Sequence, residues 1–312
     1  MFVLVQKPRE YFNDSSAPAP TPFRSDYWDN VVHKEFLDEY TLALSTKSAI
    51  YSGILSIDVA DLKPECHTAN CTWPVFPTLG VCGQCASTMI KTTCTDTTQP
   101  CVFETQHNTN MTVPQDIETD SFKIMPLQDQ PNNANETRKT FVSIFELMMV
   151  SNRTTGTKSS AFQCGLWFCV KLYALAVEEG KATQTIVGVF NDTHFETTSG
   201  TDPDEHVFDH PQMSTHYPPN IKHSVSDRAV KAIRSFMDSL TQGHFQYAPT
   251  AIYFSSDWIE AMWQASADPE SWVNRISRSL TNEVRVHGRI QELHSKQFEG
   301  HASRMAGYVH VQ

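Results

Sequence analysis

Two kinds of residue in this chain of 312 carry types and spacings that specify chemistry. The first is cysteine: Cys66, Cys71, Cys82, Cys85, Cys94 and Cys101 fall in one block, and Cys164 and Cys169 form a separate pair. An even number at tight spacing reads as a disulfide framework built in an oxidising compartment. The second is asparagine in Asn-x-Ser/Thr sequons, at Asn13, Asn70, Asn110, Asn135, Asn152 and Asn191. For this composition chance would supply roughly two such sequons, so the surplus points to a glycosylated, extracytoplasmic surface. Asn110, Asn135, Asn152 and Asn191 lie in expected polar loops or at strand ends, where a glycan is solvated. Asn13 sits in an expected linker, and Asn70, beside Cys71, is the least suited.

Geometry restricts the cysteine pairing without fixing it. Cys164 and Cys169 lie in an expected strand, where their spacing corresponds to about 16 Å. A bridge tolerates a Cα separation only up to about 7 Å, so they should not bond each other. Their odd offset puts them on opposite faces, and at least one should reach back to the 66–101 block. Among the 105 pairings that eight cysteines allow, spacing alone selects none.

Two other cysteine chemistries fit the spacing less well. Only Cys82-Gly-Gln-Cys85 has zinc-ligand spacing, and no second such pair completes a site. The same Cys82 and Cys85 resemble a thiol-redox motif, but that chemistry wants a strand before and a helix start after. Pro77-Thr-Leu-Gly80 reads instead as a turn. His206 and His210, near Asp202, Asp204, Glu205 and Asp209, could hold a divalent metal. The plainer reading is a solvated acidic loop, so no metal and no cofactor are expected. Hydrolase, phosphate-loop and dinucleotide fingerprints are absent, and no catalytic residue stands out. Trp73 and Trp167 could stack on sugars, although packing against disulfides is the simpler role. Arg275, Arg278 and Arg285 read as the solvated face of the last helix.

A formal charge of −11 with no basic run disfavours nucleic acid and anionic membrane surfaces as partners. No segment reaches the ~18 apolar residues of a membrane span, and Met1–Pro8 is too short for a signal-peptide core. Composition thus points to the secretory lumen while the chain carries no address for it.

Periodicity, turn residues and caps predict the surrounding elements. Residues 1–25 are an N-terminal stub and Pro/Ala/Ser linker. Residues 26–190 hold a helix over Asp26–Ser45, where Trp28, Val32, Phe36 and Tyr40 recur every four, and then a cysteine-rich β core. That core begins with an extended Ala49–Asp58, and Pro74, Pro77, Gly80 and Gly83 mark turns in the cysteine block. Its strands are Phe122–Leu127, Thr140–Val150, Ala161–Val177 and Ala182–Phe190, the last two joined as a hairpin. Residues 191–223 form a polar His/Asp-rich loop. Residues 224–312 are a helical subdomain with helices over Ser226–Thr241, Asp257–Ala267 and from Asp268 onward. The fold class is α+β, a disulfide-braced β-rich core followed by helices.

Cys66-His-Thr-Ala-Asn70-Cys71-Thr72-Trp73-Pro74, then Leu79-Gly80-Val81-Cys82-Gly-Gln-Cys85, resembles the extracytoplasmic region of a fungal multi-spanning membrane protein family defined only as a domain of unknown function. Cys164-Gly-Leu-Trp-Phe-Cys169-Val-Lys-Leu-Tyr173 and Gly307-Tyr-Val-His-Val311 agree with it. The resemblance spans most of residues 48–312. It implies membrane helices flanking this region and absent from this chain, the last expected to begin where Gln312 stands. It supplies no ligand and no catalytic residue. The expected function is a non-catalytic luminal or cell-surface domain of a membrane protein, for sensing or interaction with a cell-wall or protein ligand, with aromatic and polar loop residues in 104–139 and 191–223 as the contact candidates. The alternatives are a surface hydrolase acting on wall material and a thiol-redox protein using Cys82 and Cys85.

Overall fold

The computed structural model describes residues 23–36, 39–64, 66, 71–95, 99–115, 118–127, 140–153, 156–198, 203–209, 221–248, 251–265 and 267–290. Residues 1–22 of the stub and linker, with Asn13, and Asn70, Asn135, Asp202, His210 and the terminal motif 307–311 lie outside them.

In chain order the elements are β1 (Tyr27–Trp28), β2 (Val31–Lys34), β3 (Glu39–Leu42), α1 (Leu44–Leu55), β4 (Cys71–Thr88), β5 (Ile90–Thr93), β6 (Cys101–Thr105), β7 (Asn110–Val113) and β8 (Thr119–Pro126). There follow β9 (Phe141–Arg153), β10 (Gly156–Glu178), β11 (Lys181–Phe190), β12 (Thr193–Glu196), β13 (Glu205–Phe208), β14 (His223–Ser226), α2 (Asp227–Leu240), β15 (Gly243–Ala248), β16 (Ala251–Phe254), α3 (Asp257–Ala265) and α4 (Pro269–His287).

A seven-stranded sheet organises the molecule, ordered β11-β10-β9-β8-β15-β16, with β4 on the other side of β10. Strand β10 is long enough to pair β9 through its first half and β11 through its second. Alternation then sorts side chains by face. Cys164, Leu166, Phe168 and Val170 turn towards the helices, where they join Ile50 and Ile54 of α1, Ile233 and Met237 of α2, and Trp272, Ile276 and Leu280 of α4. On the opposite face, a three-stranded sheet β5-β6-β7 covers Met148, Val150 and Ala161 with Cys101, Phe103 and Val113. A four-stranded sheet, β1-β14-β13-β12, closes one end. The α+β class and the disulfide-braced core are as expected, and the C-terminal helices share one core with the sheet.

Several expected elements are replaced. Where a helix is expected over Asp26–Ser45, the chain forms β1 and the β2–β3 hairpin. A spacing of four is also a multiple of the strand period, so Trp28, Val32 and Tyr40 fit strands equally well. Where an extended Ala49–Asp58 is expected, α1 forms, burying Thr46, Ile50, Gly53 and Ile54 at helical spacing. Gly53 is there for close approach, since a Cβ would come 2.6 Å from the Ile276 backbone of α4. The polar stretch 191–223 contains strands β12 and β13.

The turns expected at Pro74, Pro77, Gly80 and Gly83 are instead the interior of β4. Proline is tolerated because β4 pairs on one side only. Pro74 falls at a register break between Trp73 and Phe76. Pro77 stands two residues before Leu79, whose N–H points away from β10 and donates to the Ser25 carbonyl at 2.8 Å. Further along the same edge, the Val81 N–H donates to Thr281 Oγ1 at 3.0 Å, and Ser277 Oγ donates back to the Val81 carbonyl at 2.7 Å. Helix α4 thus closes an edge that would otherwise invite another strand.

The β10–β11 hairpin and the helix starts follow their signals. Glu179 (φ 50°) and Gly180 (φ 76°) are both left-handed, as a two-residue type I′ turn requires. The Ser226 side chain caps α2 by accepting from the Ala229 N–H at 3.2 Å. Asp268 caps α4 by accepting from the Ser271 N–H at 3.0 Å, with Pro269 in the first turn.

Candidate functional site

All eight cysteines are bridged, as Cys66–Cys71, Cys82–Cys169, Cys85–Cys164 and Cys94–Cys101. Cys82 and Cys85 are therefore not partners of each other, and the thiol pair that redox chemistry would use is absent. Both cysteines of the 164/169 pair reach back to the earlier block. Cys85 and Cys164 are direct cross-strand neighbours, while Cys82 stands opposite Trp167 and bonds diagonally to Cys169. The odd offset puts these two bridges on opposite faces of the β4–β10 pair, with the Cys85–Cys164 bridge facing the helices. Four bridges fit an extracellular or luminal compartment. Among the described residues no helix is long and apolar enough to cross a membrane.

The described sequons differ sharply. Asn152 Nδ2, the atom a glycan would need, donates to the Pro114 and Gln115 carbonyls at 3.1 and 3.3 Å. Asn110 and Asn191 are exposed, and in each the contact shown uses the oxygen: Asn110 Oδ1 accepts from Lys123 Nζ, and Asn191 Oδ1 from Trp167 Nε1.

His194, His206 and His223 pair with carboxylates rather than gathering around a metal. His206 is buried, with Nε2 at 3.1 Å from Asp227 Oδ1. The His206 hydrogen bond, helped by Lys231, holds the Asp227 carboxyl down at about 2. His223 Nε2 lies 3.3 Å from Asp26 Oδ1, both fully buried, and Arg24 Nε donates to the same oxygen at 2.8 Å. His194 bridges Glu196 and Asp209 at the surface, and those partners raise its pKa. These contacts tie β1, β12, β13, β14 and α2 together. Among the described residues no group of His, Cys, Asp and Glu could hold a metal.

Of the two tryptophans, Trp73 is buried with Phe76, Tyr173 and the Cys66–Cys71 bridge, while Trp167 is half-exposed against Phe141. Arg285, expected on a solvated face, is only 3 % exposed. Its guanidinium lies 4.4 Å from the Tyr173 ring centre and donates to the Phe23 carbonyl and Gln184 Oε1. Beside it Lys171, also buried, donates to Thr281 Oγ1 at 3.1 Å. Burial, with Arg285 and Arg278 nearby, pushes the Lys171 amine down to about 8. Such an amine is chemically able to act as a nucleophile, but at 6 % exposure it is sealed beneath α4. Its only sequence signal is a cation interrupting the apolar run 162–177.

A concave surface drawn partly from the 104–139 stretch, where the sequence places contact candidates but no groove, lies where the small β5-β6-β7 sheet stops covering the large one. A groove of about 270 Å³ is lined by Asn110, Met111 and Thr112 of β7, by Ser121 and Lys123 of β8, and by His244 and Gln246 of β15, with Phe122 and Phe245 beneath. The register sets Ser121 opposite Gln246 and Lys123 opposite His244, so these four side chains share the face turned away from the helices. Ser121 Oγ is buried there without a hydrogen-bond partner. Lys123 Nζ donates to the Asn110 carbonyl at 2.6 Å, and partial burial lowers its pKa. Tyr253, opposite Gln246 on β16, is 57 % exposed and lies 5.6 Å from the His244 ring.

What this surface offers is a row of donors and acceptors beside an exposed aromatic ring. Its lining holds no carboxylate, so the paired acids of glycoside hydrolysis are not assembled there. No family model, no curated protein and no solved structure matches the chain.

Proposed function

We propose that this chain is a non-catalytic recognition domain on the extracytoplasmic side of a membrane protein, in line with the fungal family it resembles. Its ligand is a saccharide chain of the cell wall, seated on the β8–β15–β16 face. The observation that carries this reading is the groove itself, where the buried, unpartnered Ser121 hydroxyl stands beside Lys123, His244 and Gln246. Hydroxyl-rich ligands satisfy such groups, and Tyr253 adds a flat apolar surface for a sugar ring. At about 270 Å³ the groove is smaller than a typical small-molecule pocket, which suits one ring of a longer chain.

Calorimetric titration with glucan, mannan and chitin oligosaccharides tests the reading. Binding to one class is expected, weakened about 5-fold by Tyr253→Ala, since stacking is worth roughly 1 kcal/mol. Binding that is equal in wild type and variant, or absent for every class, sinks it. Release of new reducing ends would establish the hydrolase instead. The membrane half of the proposal is read separately, from apolar runs of about 20 residues encoded on either side of this frame.

A further inference from the structure

We propose that Asn191 carries an N-linked glycan whose first N-acetylglucosamine packs on the Trp167–Phe141 aromatic surface. The proposal rests on the extracytoplasmic half of the function proposed above and is independent of the saccharide groove.

Three observations converge on this site. Asn191 is exposed immediately after β11, and Asn191-Asp192-Thr193 is a complete sequon. Its Oδ1 accepts from Trp167 Nε1 at 2.9 Å, which fixes the amide plane while leaving Nδ2, the atom to be modified, outside that bond. The indole is itself held in place. Phe141 lies 5.5 Å away, ring centre to ring centre, and the Phe141 carbonyl accepts from Arg234 at 2.7 Å. The half-exposed Trp167 also stands opposite Cys82 in the β4–β10 ladder, within one diagonal of the Cys82–Cys169 bridge.

The covalent step places the sugar. Asn191 Nδ2 loses one proton and forms a C–N bond to the anomeric carbon of a lipid-linked oligosaccharide, and the lipid pyrophosphate leaves. The product is a secondary amide and, like a peptide, prefers the trans form. In that form the new carbon substituent lies on the same side of the C–N bond as the oxygen. Here that oxygen is Oδ1, whose neighbour is the indole, so the first sugar ring emerges beside Trp167. The Trp167–Asn191 hydrogen bond survives because it uses only Oδ1. Asn152 shows the opposite arrangement, with Nδ2 consumed by two carbonyls.

The test is made on the full chain secreted from a fungal host behind a signal peptide, and trimmed enzymatically to one N-acetylglucosamine per site. Peptide mapping is expected to find Asn191 occupied. Relative to the trimmed protein, Asn191→Gln is expected to lower Tm by about 2–4 °C. The same substitution in unglycosylated protein from a bacterial periplasm loses only the amide contact and should cost less. An empty Asn191, or an equal loss of Tm in both hosts, overturns the proposal. Should the variant not fold, the trimmed wild type decides: proton NOEs between the first sugar and the Trp167 indole are expected, and their absence overturns it. Where the native protein resides is read by localisation in the fungus, so an error there is distinguishable from an error about Trp167.

Discussion

The two faces of the seven-stranded sheet carry different duties although they are drawn from the same strands. The helix-facing side holds the continuous core, with Cys164, Leu166 and Phe168 of β10 fully buried against α4 and its neighbours. The other side is covered by the small sheet over β9 and the start of β10, and again where Trp73 and Phe76 of β4 pack with Tyr173, Leu175 and Val177. Beyond that cover it presents Ser121, Lys123, His244 and Tyr253 at one end and Trp167 with Asn191 at another. Stability is concentrated on the first face, and the second carries the polar and aromatic groups to which the proposals above assign recognition and modification.

The sharpest way to break this comparison is at the two bridges that join β4 to β10 through opposite faces. Each closes a long loop, with separations of 87 and 79 residues, yet either one alone already holds the strands together. In a chain-entropy account, removing one bridge costs about 2.5 kcal/mol, because the survivor leaves only a small ring to close. Removing both costs about 6–7 kcal/mol by the same account. Denaturant titration of Cys→Ala pairs checks this non-additivity; a double loss equal to the sum of the single losses contradicts it.

A second test concerns the buried Lys171. Its folded pKa of about 8 lies below the ordinary 10.5, so the folded state holds its proton less firmly than the unfolded chain does. Below pH 8 the ammonium therefore destabilises the fold in full, and stability recovers as pH rises from about 8 towards 10.5. The span corresponds to about 3 kcal/mol. Lys171→Met is expected to be more stable at neutral pH and to lose this alkaline gain relative to wild type. A constant wild-type-to-variant difference across that window would show that the amine keeps its charge at no cost.

Much of the helix-facing side was legible in the sequence, because burial there enforces a period. β9, β10, β11, α2, α3 and α4 fall within a few residues of where alternation, caps and Gly180 place them. The cross-strand bridges were foreseen in kind, since five residues of strand separate Cys164 from Cys169 too far to join. The failures have physical causes. Trp28, Val32 and Tyr40 satisfy helix and strand periods at once, and Ser52 and Gly53 blur the apolar stripe of α1. Pro74 and Pro77 read as turns because nothing local announces that β4 has a single paired side, an edge closed by Thr281 two hundred residues away. The groove was illegible for the same reason: Lys123 and His244 are neighbours only through the β8–β15 register. His206 read as a solvated loop residue because its partner Asp227 belongs to the next helix.

The smallest effect is also the most direct comparison, since it uses two adjacent residues of β8. Ile124 points into the core and is fully buried, while Lys123 points into the groove. Ile124→Val removes one buried methylene and is expected to cost about 1 kcal/mol. It should leave saccharide affinity unchanged, because the backbone pairing of Lys123 with His244 is retained. Lys123→Met keeps the aliphatic stem and removes an ammonium bonded to the Asn110 carbonyl at the surface. Its stability change is expected within about 0.5 kcal/mol. Saccharide affinity should fall several-fold, since a donor facing the groove is gone. Paired denaturant and calorimetric titrations read both quantities on the same samples. If Lys123→Met proves the more destabilising of the two, or Ile124→Val the more damaging to binding, the division of labour between the faces does not hold along β8.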